Sequence, residues 1–100
     1  MTRIDIAKAT PDVYKALNAA SMKSREAWEA AGLTAEEVEL AKVRVSQING
    51  CVACLGVHVP ALREAGMDQR HIDVLPAWRD AGSPFTPQQR CLLYTSPSPR

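Results

Sequence analysis

Hydrophobic and polar positions along this chain recur with a helical period, and nowhere alternate long enough to read as a strand. Thr10-Pro11-Asp12 opens the first long segment. Thr10 is placed as N-cap, Pro11 stands in the first turn where its missing N–H costs nothing, and Asp12 favours the helix dipole. Val13, Ala16, Leu17 and Ala20 follow at helical spacing, and the pattern runs through Trp28 to Ala31, where Gly32 supplies the stop. Residues 1–9 are mixed and read as a loose lead-in. Thr34 opens a second helix, with Glu37 at the capping-box position and Val38, Ala41, Val45 and Ile48 as its apolar stripe. Asn49-Gly50 breaks it and turns the chain, and Asn49 is expected to cap the helix that follows.

That next helix begins at Cys51 or Val52, carries Val52, Leu55, Val57, Leu62 and Ala65, and stops at Gly66. Pro60 lies inside it and is expected to kink it or disturb its hydrogen bonds. Asp68 caps a further short helix with Ile72, Leu75 and Trp78 inward and Pro76 as an interruption. After the loop 81–84, Thr86-Pro87-Gln88-Gln89 repeats the cap, proline and capping-box signals. This last helix is not expected past Tyr94, because Pro97 and Pro99 block it. The chain therefore reads as all-α, with one domain over 1–90. Residues 91–100 are set apart: they resemble translated adapter or vector sequence, with a disordered tail as the alternative.

Composition narrows this further. One hundred residues support a single small domain, and 46% hydrophobic against 23% charged residues marks it as globular. A domain of this size buries only about two-thirds of its unfolded surface, so stabilisation by oligomerisation is expected. The net charge is +1 with acids and bases interspersed, which gives no basic stripe for nucleic acid and no polybasic membrane patch. No apolar run reads as a signal peptide or spans a bilayer, so the expected compartment is the cytosol. There, paired cysteines are catalytic or metal-binding more often than structural.

The chemistry gathers in Asn49-Gly50-Cys51-Val52-Ala53-Cys54-Leu55-Gly56-Val57-His58, which holds two of the three cysteines and one of the two histidines. On a helix, Cys51, Cys54 and His58 share one face. The helix N-terminus favours a thiolate there, and the two sulfurs are close enough in such spacing to form a disulfide. His58, one turn past Cys54, is within reach to exchange its proton. If the two flanking helices fold back antiparallel, Glu39 comes level with Pro60, within about a turn of His58 at ~1.5 Å per residue. Glu39, His58 and Cys54 then line up as carboxylate, imidazole and thiol. Each has a plainer reading: two small buried cysteines, a half-buried histidine, and a solvated acid pairing with Lys42. Zinc is the rival chemistry, with Cys51, Cys54 and His58 as ligands and His71 or water as the fourth. A c-type haem would need histidine where Leu55 stands, and a thioredoxin domain would need a strand before the cysteines. His71 is otherwise a surface or cap residue, Cys91 has no role, and Trp28 and Trp78 belong to the core.

Glu39, then Arg44-Val45-Ser46-Gln47-Ile48-Asn49-Gly50 leading into the cysteines and His58, closely resembles the AhpD-like, or carboxymuconolactone decarboxylase, family. Ala77-Trp78-Arg79 and Phe85-Thr86-Pro87 resemble it too, and the likeness covers roughly residues 3–90. The resemblance implies an all-helical domain with an antiparallel hairpin carrying the cysteines, working as a homo-oligomer, commonly a trimer or hexamer. It implies alkyl hydroperoxide reductase activity with a peroxiredoxin-like thiol cycle. Cys54 would attack the peroxide, Cys51 would resolve it, and His58 and Glu39 would form a proton relay. A hydroperoxide is then the substrate and a dithiol the electron donor, such as a lipoyl-bearing protein, with no cofactor of the chain's own. Two departures stand out. AhpD has a second histidine where Ala53 stands here, and the domain is expected to lose the family's C-terminal helices after Arg90. The alternatives are a non-catalytic structural or zinc-binding helical module, or an inactive fragment.

Overall fold

The computed structural model describes residues 3–96, and all regular structure among them is helical. The chain divides into two compact units, one ending at Leu33 and the other beginning at Thr34.

The first unit is a short helix, α1 (Ile6–Ala9), followed by the long α2 (Pro11–Ala30). The loose lead-in is thus partly helical, because Asp5 caps it: its side chain accepts the Ala7 N–H at 3.0 Å. Thr10 is the N-cap residue of α2, as its sequence suggests, though its hydroxyl donates backward to the Ile6 carbonyl rather than capping forward. Gly32, at φ 84°, ends the segment, and the Leu33 N–H closes on the Trp28 carbonyl at 3.0 Å. No residue of α2 is buried. Val13, Leu17 and Met22 are exposed, and Trp28, expected in the core, is only half-buried beneath the Arg25 guanidinium.

The second unit contains α3 (Ala35–Asn49), α4 (Val52–Glu64), α5 (Gln69–Asp73), a 3-10 segment (Leu75–Asp80) and α6 (Pro87–Thr95). Thr34 and Glu37 form the expected capping box, as do Thr86 and Gln89, and Asp68 caps α5. The core sits against α3. Leu40 and Val43 from that helix and Leu62 from α4 are fully buried. Met67, Ile72, Leu75, Trp78, Phe85 and Leu93 complete the same buried cluster. Each such side chain contributes about 1.5–3 kcal/mol by leaving water.

Two faces differ from the expected ones. On α3 the buried positions are Leu40, Val43, Arg44 and Ser46, whereas Val38, Ala41, Val45 and Ile48 are only partly covered. The helix is apolar on more than one side, and the core took the side that carries Leu40. On α4 the inward residues are Leu55, Val59 and Leu62, at i, i+4 and i+7, while Val52 (84%) and Val57 (64%) face solvent. Helix α4 runs unbroken past Pro60. Both Pro60 and Gly56, whose carbonyl the missing N–H would have served, are exposed, so water can satisfy that carbonyl.

The set-apart C-terminal stretch is helical as far as Thr95, and Leu93 lies in the core at 2% exposure. Helix α6 runs one residue past the expected limit at Tyr94: the Thr86 capping box starts a helix that continues until apolar Leu93 is packed. Residues 97–100 lie outside the described residues.

Arg44 is the unusual core member. Its guanidinium donates to the Gln47 side-chain oxygen at 3.2 Å, and its pKa is held below the ordinary value by burial and then by the charge of Arg79. Arg79 in turn lies over the Trp78 ring at 4.6 Å.

Candidate redox site

Two consecutive residues end α3 and begin α4. Gly50, at φ 62°, takes the left-handed conformation that terminates α3, and a Cβ there would meet nothing within 4 Å. The Cys51 N–H then closes on the Ser46 carbonyl at 3.0 Å. Cys51 itself, in extended conformation, is the N-cap of α4: its carbonyl receives the Leu55 N–H at 3.0 Å, and its Sγ accepts the Cys54 N–H at 3.2 Å. The expected cap, Asn49, is instead the last residue of α3. The reason lies in the turn: Gly50 uses up the reversal, so the first extended residue after it is the cysteine.

Cys51 and Cys54 are joined as a disulfide, with Cα atoms 5.3 Å apart. Both are half-buried, and Ala53 between them is exposed. Cys91 is a free, exposed thiol elsewhere on α6.

The two-residue turn folds α4 back along α3, and the antiparallel register brings Glu39 to His58. The imidazole Nδ1 donates to the Glu39 Oε2 at 2.8 Å. A carboxylate only accepts, so Nδ1 carries the hydrogen it donates, and in the neutral imidazole Nε2 is the nitrogen with the lone pair. The pair is sheltered, with side-chain exposures of 26% for His58 and 19% for Glu39. The other carboxylate oxygen faces the Lys42 ammonium at 3.6 Å. Glu39 therefore holds both the plain partner expected from helix spacing and the distant one expected from the hairpin. The Lys42 contact is partly solvated and contributes at most about 1 kcal/mol.

His71 takes no part: it lies edge-on to Phe85, ring centroids 6.2 Å apart. Among the described residues no three of His, Cys, Asp or Glu converge as a metal-binding set, so the four-ligand arrangement with His71 does not form. A solvent-open hollow of about 700 Å³ between the first turns of α3 and α6 holds the Gln89–Glu36 hydrogen bond and none of the redox residues. The burial of Arg44 is not legible in the sequence, since one cation among the polar residues of a helix carries no signal of it.

The sequence that builds this arrangement, a disulfide at a helix N-terminus with a carboxylate-held imidazole on the same helix, matches a known family model. The carboxymuconolactone decarboxylase model covers residues 11–93. The chain belongs to the carboxymuconolactone decarboxylase family. The match spans both units and reaches Leu93. Among curated proteins, the chain is 36% identical over 58 residues to uncharacterized protein YdfG of Bacillus subtilis (strain 168), which is 58% of this chain and 39% of that protein. The chain thus matches well under half the length of this relative. No solved structure matches. The family includes decarboxylases and alkylhydroperoxidases.

Proposed function

We propose that the protein is a thiol-dependent alkyl hydroperoxide reductase that cycles Cys51 and Cys54 between dithiol and disulfide. The observation that carries this reading is the Cys51–Cys54 pair at the start of α4 with the Glu39–His58 hydrogen bond that joins α3 to the same helix.

In this reading the Cys54 thiolate attacks the peroxide. An S–O bond forms, the O–O bond breaks, and the alkoxide leaves as alcohol after taking a proton. Cys51 then attacks the Cys54 sulfenic acid: the S–S bond forms, the S–O bond breaks, and hydroxide leaves as water. The dithiol is oxidised by two electrons and the peroxide reduced by two. His58, fixed through Nδ1, has Nε2 to take the thiol proton and return it to the leaving oxygen, while Glu39 stabilises the imidazolium that forms. An external dithiol, such as one on a lipoyl-bearing protein, restores both thiols by exchange. Ala53 supplies no second imidazole, so turnover is expected below that of a two-histidine relay.

The proposal includes a homo-oligomer, trimer or hexamer, for which exposed Val13, Leu17 and Met22 on α2 supply apolar surface. It also includes a cytosolic setting; no helix among the described residues is long and apolar enough to cross a membrane.

The test is mass spectrometry of reduced protein after one equivalent of alkyl hydroperoxide, alongside peroxide consumption by variants. The expected product is the intramolecular Cys51–Cys54 disulfide, with Cys54→Ser inactive and Cys51→Ser stalled after one event. Equal activity in both variants would exclude the cycle.

A further inference from the structure

The two sulfurs of the disulfide are not equivalent. Cys51 Sγ sits at the N-cap of the 13-residue α4 and already accepts the Cys54 N–H at 3.2 Å. A thiolate released at that position keeps this hydrogen bond, made stronger by the charge, and lies at the positive end of the helix dipole. Cys54 is inside the first turn, and its own N–H is the group that serves Cys51. No corresponding donor to Cys54 Sγ is found among the described hydrogen bonds. His58 stands one turn beyond Cys54 on the same helix, with Nδ1 committed to Glu39.

Thiol–disulfide exchange expels one sulfur as a thiolate, and the better-stabilised thiolate leaves faster. We propose that the reducing dithiol enters at Cys54, so that the mixed disulfide forms on Cys54 while Cys51 departs as the capped thiolate. In the first step a donor thiolate attacks Cys54 Sγ; the donor–Cys54 S–S bond forms, the Cys51–Cys54 bond breaks, and its electron pair goes to Cys51. In the second step the donor's other thiolate attacks the donor sulfur of the mixed disulfide. The donor's own disulfide forms, and Cys54 leaves with the electron pair. Cys54 lacks the cap, and its thiolate takes from His58 Nε2 the proton that the imidazole accepted from the donor's second thiol. The donor is oxidised by two electrons and the protein disulfide is reduced by two. Cys54 is then the sulfur that exchanges with outside partners, and Cys51 stays at the cap throughout.

This rests on the dithiol reading only in that an external thiol opens the disulfide; peroxide is not involved. Oxidised wild-type protein is mixed briefly with glutathione, quenched in acid, alkylated at low pH and mapped by fragmentation. The expected result is glutathione on Cys54 and the alkyl label on Cys51, in roughly tenfold excess over the reverse. A majority adduct on Cys51, an even mixture, or no adduct overturns the proposal. Thiolate absorbance of the reduced single-cysteine variants gives a second readout. The thiol of Cys54→Ser should ionise at lower pH than that of Cys51→Ser, and the opposite order overturns the assignment. In Cys51→Ser the serine hydroxyl preserves the cap, which keeps that variant folded. A protein that takes glutathione on Cys54 but consumes no peroxide would refute the peroxidase reading and leave this one standing.

Discussion

Glu39 and His58 are 19 residues apart in the chain and meet at 2.8 Å across the α3–α4 hairpin. The contact fixes which imidazole nitrogen carries hydrogen and which is left for proton transfer. Glu39→Gln keeps an acceptor there and removes the charge that stabilises an imidazolium. Peroxide turnover with dithiothreitol as donor is expected to fall by about 10²-fold, within the range for general acid–base catalysis. Stability should change by less than ~1 kcal/mol, because the ion pairs involved are partly exposed. Unchanged turnover in a folded variant would remove Glu39 from the relay.

Leu62 is fully buried between α4 and the core around α3. Leu62→Ala should cost about 2–5 kcal/mol, from lost burial and the cavity left behind. Urea denaturation measures this; a loss below ~1 kcal/mol would mean that the site collapses to fill the gap or that the core is packed otherwise.

Gly50 has the positive φ that lets α3 stop at Asn49, two residues before Cys51. A Cβ there would touch nothing, so Gly50→Ala tests backbone conformation alone. The expected cost is about 1–2 kcal/mol, with Gly50→Asn costing less because asparagine visits this region more readily. Thermal melts of the two variants check the order.

Asp68 caps α5 by accepting the Arg70 N–H at 2.8 Å. That backbone hydrogen bond, with the nearby charges of Arg70 and His71, holds its carboxyl below the usual range against a smaller opposing effect of desolvation. The folded pKa is depressed, so the cap's contribution is complete above the ordinary carboxyl pKa of ~3.9 and is lost as pH falls through the lowered value. Amide exchange at Arg70 should accelerate, relative to the intrinsic rate, only in that acid window. Asp68→Asn retains a capping oxygen and should abolish the acid dependence. Persistence of the pH effect in that variant would assign it to another group.

The sequence determined a good deal by local rules. Thr34 with Glu37, Thr86 with Gln89, Asp68 and Gly32 mark their helix ends because caps and left-handed glycines act within four residues. The Cys-x-x-Cys spacing likewise brings Cys51 and Cys54 together within one turn. Even the Glu39–His58 contact was within reach, since a two-residue turn leaves little freedom in how α4 returns along α3.

Tertiary structure decided the rest. Helix α3 has apolar residues on two sides, and only the packing of α4, the 3-10 segment and α6 selected the side with Leu40 and Val43. It left Val52 and Val57 in solvent and put Arg44 inside. Periodicity says that a helix has a face to bury, but choosing among competing faces depends on the volumes of partners far along the chain, which no local pattern contains.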